Sequence, residues 1–153
     1  MCIRDRLQTL NVSNNRLTAL PEALGQLTQL QKLHVGGNQL TALPEALGQL
    51  TQLRELSVWS NQLTALPEAL GQLTQLRELY AFSNQLTALP EALRQLTQLK
   101  QLCLHGNPGL GLSADILGPT WDEVARGKVK PADPRAILAV YFAQQKGLSL
   151  IHI

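Results

Sequence analysis

Thirteen residues, Thr-Ala-Leu-Pro-Glu-Ala-Leu-Gly-Gln-Leu-Thr-Gln-Leu, run from Thr18 to Leu30 and return unchanged from Thr41 to Leu53 and from Thr64 to Leu76. A fourth copy, Thr87 to Leu99, differs only at Arg94, where the others carry Gly25, Gly48 and Gly71. The copies start 23 residues apart. A unit this short cannot bury its leucines alone. The units must therefore stack, each covering the apolar side of the next, in a quasi-one-dimensional solenoid.

Between the copies runs a second pattern, L-x-x-L-x-L-x-x-N-x-L, as in Leu53-Arg54-Glu55-Leu56-Ser57-Val58-Trp59-Ser60-Asn61-Gln62-Leu63. Its fourth and sixth positions are apolar and alternate with more polar neighbours, the period-two sign of a strand with one buried face. The inward pairs are Leu10/Val12, Leu33/Val35, Leu56/Val58, Leu79/Ala81 and Leu102/Leu104. Leu-Pro-Glu then fits a short helical turn on the opposite side. Pro21, Pro44, Pro67 and Pro90 suit the first helical position, and Gly25, Gly48 and Gly71 suit the end. Stacked strands make a parallel sheet at about 4.8 Å per copy. These residues resemble the leucine-rich repeat (LRR) family in its 23-residue intracellular form, over residues 7–110 in about five copies. The expected fold class is α/β: a leucine-rich repeat solenoid with a short parallel β-sheet on the concave face, short helical turns on the convex face, and C-terminal helices after it.

Asn15, Asn38, Asn61, Asn84 and Asn107 recur at the same interval. A chain leaving a strand has buried backbone groups to pair, and an amide side chain serves both donors and acceptors, so these asparagines read as structural. Glu22, Glu45, Glu68 and Glu91 fall in the first turn of each helical segment, where a carboxylate complements the backbone dipole.

Function is sought where the copies differ. The outward column after the fourth position reads Asn11, His34, Ser57, Tyr80, Cys103, and the column after the sixth reads Ser13, Gly36, Trp59, Phe82, His105. Strand alternation places both on the concave surface. Trp59, Tyr80 and Phe82 converge there as the expected anchors of a protein or peptide partner. His34 and His105 border them, and Gly36 and Gly37 are expected to leave a shallow gap beside Trp59. Arg54, Arg77 and Lys100 stand near Lys32, Glu55 and Glu78, a mixture of signs that suits partner register rather than phosphate capture. The expected partner-binding set is thus Trp59, Tyr80, Phe82, His34, His105, Arg54, Arg77, Glu55 and Glu78. Cys103 and His105 share a strand face, but His34 lies three strands away and no carboxylate is placed beside the pair. Neither catalysis nor a metal is expected.

Composition narrows the class further. Thirteen Lys and Arg against eleven Asp and Glu leave a formal charge of +2, too little for a nucleic-acid binder that works through a basic face. Every leucine-rich stretch is interrupted by Gln, Thr, Asn or Glu, so no segment can cross a bilayer. Residues 1–6 carry charge without a following apolar region, unlike a secretory signal. Cys2 and Cys103 lie about 100 residues apart, which gives neither a disulfide framework nor zinc-ligand spacing. The expectation is a cytoplasmic, metal-free protein with no nucleic-acid or membrane partner.

After Asn107 the pattern changes. Residues 111–130 read as a segment capping the end of the stack, and residues 131–147 as a helix leading toward a further domain. Thr120-Trp121-Asp122-Glu123 is a capping box opening a short helix that stops at Gly127, with Trp121 expected to pack against the last repeat. Asp133-Pro134 starts a second helix, which Gly147 closes and whose apolar face holds Ile137, Leu138, Tyr141 and Phe142. That face suits either the solenoid end or a domain beyond this chain. The run from Leu104-His105-Gly106-Asn107-Pro108 through Ile116–Trp121 and Pro131–Leu138 to Tyr141-Phe142 also resembles the junction of bacterial Roco proteins, where leucine-rich repeats precede a Ras-like GTPase (Roc) domain and a COR domain. The resemblance implies the repeat arm of a GTP-dependent switch. No G-x-x-x-x-G-K-[ST] occurs here, so no cofactor is expected in this chain, and GTP enters only through a downstream Roc domain. The alternatives are the substrate-targeting arm of a kinase or ubiquitin ligase, and a freestanding repeat scaffold. Residues 1–6 and 148–153 fit neither flanking pattern and are read as non-native ends, leaving the first repeat to fray or self-associate.

Overall fold

A computed structural model describes residues 6–127 and 129–147. Five strands, β1 (Thr9–Asn11), β2 (Lys32–His34), β3 (Glu55–Ser57), β4 (Glu78–Tyr80) and β5 (Gln101–Cys103), pair in chain order into one parallel sheet. The register steps by one repeat each time: Leu10 faces Leu33, Leu33 faces Leu56, Leu56 faces Leu79 and Leu79 faces Leu102. The ladder continues past the strands, with Gly37 N donating to Trp59 O at 2.8 Å and Ser60 N to Phe82 O at 3.0 Å. That continuation keeps positions 36, 59, 82 and 105 in step across the concave face.

Opposite the sheet each copy makes a 3-10 turn, at Glu22–Gln26, Glu45–Gln49, Glu68–Gln72 and Glu91–Gln95. The turns sit one residue later than the sequence suggests. Each proline is the extended residue before the turn (Pro44 has φ −70° and ψ 145°), and its carbonyl accepts the first turn bond, from Leu47 N at 3.1 Å. The glycines lie inside the turns, and leucines such as Leu50 close them. Their role is stacking. A Cβ on Gly48 would stand 3.0 Å from both the Ala69 methyl and the Ala69 carbonyl oxygen of the next copy, so only hydrogen fits. In the fourth turn no further repeat stacks on this position, and it carries Arg94.

The leucines of all turns and strands join one apolar core. Leu33, Val35, Leu40 and Leu43 are buried, whereas their first-copy equivalents Leu10, Val12, Leu17 and Leu20 are half-buried, with a repeat on one side alone among the described residues. The asparagines knit the copies as expected. Asn61 Oδ1 accepts from Leu40 N at 3.0 Å, and Asn61 Nδ2 donates to Val35 O at 3.1 Å and Val58 O at 3.0 Å. Asn38, Asn84 and Asn107 repeat this arrangement. Asn15 is exposed and bonds only within its own copy, to Val12 O and Ser13 O.

Three helices follow: α1 (Ala114–Leu117), α2 (Trp121–Ala125) and α3 (Pro134–Gln145). Thr120 and Glu123 form the capping box of α2, and Asp133 caps α3 by accepting from Arg135 N at 3.0 Å. Of its two expected docking places, α3 takes the solenoid end. Ile137, Leu138, Tyr141 and Phe142 are buried there, the Tyr141 hydroxyl accepts from Leu89 N at 3.0 Å, and the Arg94 guanidinium lies 5.2 Å over the Phe142 ring. Among the described residues no helix is long and apolar enough to cross a membrane. Of the ends read as non-native, residues 1–5 and 148–153 lie outside the described residues.

Candidate functional site

Trp59 stands at the centre of the concave face because the ladder carries it just beyond β3. Its indole lies directly over Gly36, where a Cβ would fall 2.2 Å from the ring. The gap expected beside Trp59 is therefore filled by Trp59 itself. Gly37 instead shapes the backbone, since its φ of +67° puts it in the left-handed region at the turn leaving β2. Phe82, one strand along, stacks on Trp59 with ring centres 6.0 Å apart and planes 7° apart.

The row continues into the cap. Trp121 stacks on Phe82 at 6.5 Å and 24°, and meets Tyr80 edge-on at 6.5 Å and 86°. The expectation that Trp121 packs against the last repeat gives way to this arrangement: α2 turns back over the concave side, and Trp121 stays 42% exposed on the aromatic row. Two features steer it there. Gly118, with φ 72° and ψ −158°, adopts a backbone conformation open to glycine, and His105 Nε2 lies 2.9 Å from the Gly118 carbonyl oxygen.

Tyr80 is a floor rather than a protruding anchor. It is only 8% exposed, and its hydroxyl donates to Glu78 Oε2 at 2.8 Å. Burial, followed by the hydrogen bond and charge of Glu78, holds the phenol well above its ordinary value. Ser57 and Cys103 beside it in the same column are buried too. Burial pushes the Cys103 thiol up to about 11 against a hydrogen bond from Gln101, so it is protonated at neutral pH and is no nucleophile. Among the described residues no three His, Cys, Asp or Glu converge on a point that could hold a metal.

The charged residues divide into two groups. Glu55 faces the cleft, with His34 Nε2 3.0 Å from one carboxylate oxygen and Lys32 Nζ 3.8 Å from the other; the His34 ring N–H does not align for a hydrogen bond. Arg54 and Arg77 precede β3 and β4 and are exposed away from it; their backbones hold the sheet instead, Arg77 N donating to Arg54 O at 2.8 Å. The structure thus gathers Trp59, Tyr80, Phe82, His34, His105 and Glu55 around one open cleft of about 740 Å³, with Glu78 hydrogen-bonded to Tyr80 on the same strand face, and leaves Arg54 and Arg77 outside it. Trp121, Asp122, Ser60 and Ser83 also line it. Sequence reasoning did not place these residues at the cleft; for Trp121 and Asp122 the capping box located α2 in the chain, but nothing in its residues says which side of the solenoid the helix covers.

The pattern that defines the leucine-rich repeat region matches residues 5–125. Nothing among curated proteins matches. Among solved structures, the LRR protein LIC12759 of Leptospira interrogans is 40% identical, with a TM-score of 0.64; the match covers 77% of this chain and 28% of that one. This chain therefore spans little more than a quarter of that protein's length. Near-identical 23-residue copies, a parallel sheet stepping by one repeat and a match across most of the sequence place the chain in the leucine-rich repeat family.

Proposed function

We propose that the chain is a non-catalytic, cytoplasmic interaction module that holds a protein or peptide in its concave cleft without a cofactor. Leucine-rich repeat domains generally mediate protein–protein interaction. The observation that carries the reading is the row of Trp59, Phe82 and Trp121, half-exposed or exposed along an open cleft instead of buried in the core. The core is mostly leucine and contains none of the three. Aromatic rings gathered at the centre of a concave surface are the usual energetic anchors of interfaces.

The test is selection of a random twelve-residue peptide library on the wild-type protein, followed by measurement of the selected peptides on a Trp59→Ala/Phe82→Ala variant. Hot-spot residues contribute roughly 2 kcal/mol or more each, about 30-fold apiece, so losing both anchors predicts weakening of roughly several hundred-fold. Unchanged affinity in a variant that keeps its circular dichroism and melting transition would remove the concave face from consideration. The Roco-like context is proposed from the Leu104–Phe142 segment and is tested by sequencing the source locus past residue 147. A glycine-rich phosphate loop encoded there supports it, and an unrelated domain overturns it.

A further inference from the structure

The chain as a whole carries a formal charge of +2, yet its cleft has the opposite sign. Among the described residues no Lys or Arg lines it. Glu55 and Asp122 do, and Glu78, beside Glu55 in register, accepts the hydrogen bond of the Tyr80 hydroxyl on the same strand face. Of the three, Glu55 has the Lys32 ammonium 3.8 Å from one carboxylate oxygen. Among the described residues no cation lies within ion-pair distance of Asp122 or Glu78. The two histidines are already engaged: His34 is beside Glu55, and His105 Nε2 holds the Gly118 carbonyl. The cleft is thus an aromatic row with uncompensated carboxylates beside it.

We infer that the cleft recognises a basic side chain, arginine foremost, presented by an extended peptide. This rests on the interaction reading above and names its ligand class. A guanidinium is planar, weakly hydrated and attracted to aromatic faces, and it pairs with carboxylates through a fixed fork of donors. The exposed indole of Trp121 supplies such a face at the cleft mouth, and Asp122 is its neighbour in the chain. The same contact chemistry already occurs within this molecule, where Arg94 lies over Phe142. An acidic peptide would meet Asp122, Glu55 and Glu78 with like charge, and a purely apolar one would cover Asp122 without giving it a partner.

The probes are blocked hexa-arginine, its neutral isostere hexa-citrulline and hexa-glutamate, titrated against tryptophan emission at low salt. Hexa-arginine is expected to bind at least ten times more tightly than hexa-citrulline, with hexa-glutamate showing no binding and salt weakening the complex. A Glu78→Gln/Asp122→Asn variant keeps a carboxamide oxygen to accept from the Tyr80 hydroxyl. It is expected to lose about tenfold for hexa-arginine and nothing for hexa-citrulline. Equal binding of the two isosteres, or an unchanged affinity in the carboxamide variant, overturns the inference. The peptide library separates the two failures. Selected peptides that lack basic residues but are lost on Trp59→Ala/Phe82→Ala overturn the ligand class and leave the concave face as the binding site. Peptides indifferent to that variant overturn both.

Discussion

Replacing Asn61 by alanine isolates what the asparagine ladder contributes. The Asn61 amide makes three kinds of bond: its Oδ1 accepts from Leu40 N of the preceding copy at 3.0 Å, its Nδ2 donates across copies to Val35 O at 3.1 Å, and within its own copy to Val58 O at 3.0 Å. After truncation the two carbonyls keep a partner each, because Asn38 Nδ2 also reaches Val35 O and Asn84 Nδ2 also reaches Val58 O. Leu40 N has no such reserve and becomes a buried, unpaired donor, which costs roughly 1–3 kcal/mol. Adding about 1 kcal/mol for the lost donations gives an expected destabilisation of about 2–4 kcal/mol. The internal control is Asn15→Ala. Asn15 occupies the same place in the first copy, is exposed, and bonds only to Val12 O and Ser13 O of its own copy, so its loss is expected to cost under about 1 kcal/mol. Urea unfolding followed by circular dichroism measures both. Equal costs for the two variants would refute the view that the ladder acts by pairing backbone donors between copies.

Two further predictions concern the C-terminal half. Tyr141→Phe leaves Leu89 N unpaired in the core and is expected to cost roughly 1–3 kcal/mol, with amide exchange of α3 accelerating before that of β3; an α3 that stays fully protected would show that the helix docks without this bond. In a Cys2→Ser background, Cys103 is expected to react with a thiol reagent at pH 8 only as fast as the protein opens, since its thiol is buried and protonated. Its pKa is raised on folding, so between about pH 9 and 11 the folded state keeps a proton the unfolded chain releases, and stability falls as pH rises through that window. Fast reaction in native buffer, or stability rising over that range, would contradict the burial.

The frame was legible because the physics that fixes it acts on repeated residues. Leu33, Leu56, Leu79 and Leu102 announce their buried face by alternation, and Asn38, Asn61, Asn84 and Asn107 announce theirs by period. The turns were misplaced by one residue because Pro44 and Gly48 satisfy two descriptions equally in sequence: a proline fits before or at the first helical position, and a glycine fits a helix end or a close contact. Only the 3.0 Å approach of Ala69 decides between them. The concave columns were read correctly as columns, but their exposure was not. Whether Tyr80 protrudes or lies down depends on Glu78 and Trp121, which meet it from the same strand and from 41 residues downstream. No local pattern encodes that.

The cap explains how a face with so regular a frame acquires one end. Three turns carry glycine because another turn must stack on them; the fourth carries Arg94, whose side chain reaches Phe142 of α3 instead. The convex side is thereby closed by α3, through Arg94 and Tyr141. The concave side is closed differently, by a short helix that buries none of its own residues and touches the sheet through the ring of Trp121. A structural cap of the first kind hides apolar surface. The second leaves an indole 42% exposed beside an uncompensated carboxylate, extending the row begun by Trp59 and Phe82 by one more ring. Were α2 only a lid on the stack, Trp121 would lie against the leucines of the last copy, where burial of so large a side chain would stabilise the fold most. Its position on the concave row ties the end of the solenoid to the cleft, and makes α2 part of the cleft wall.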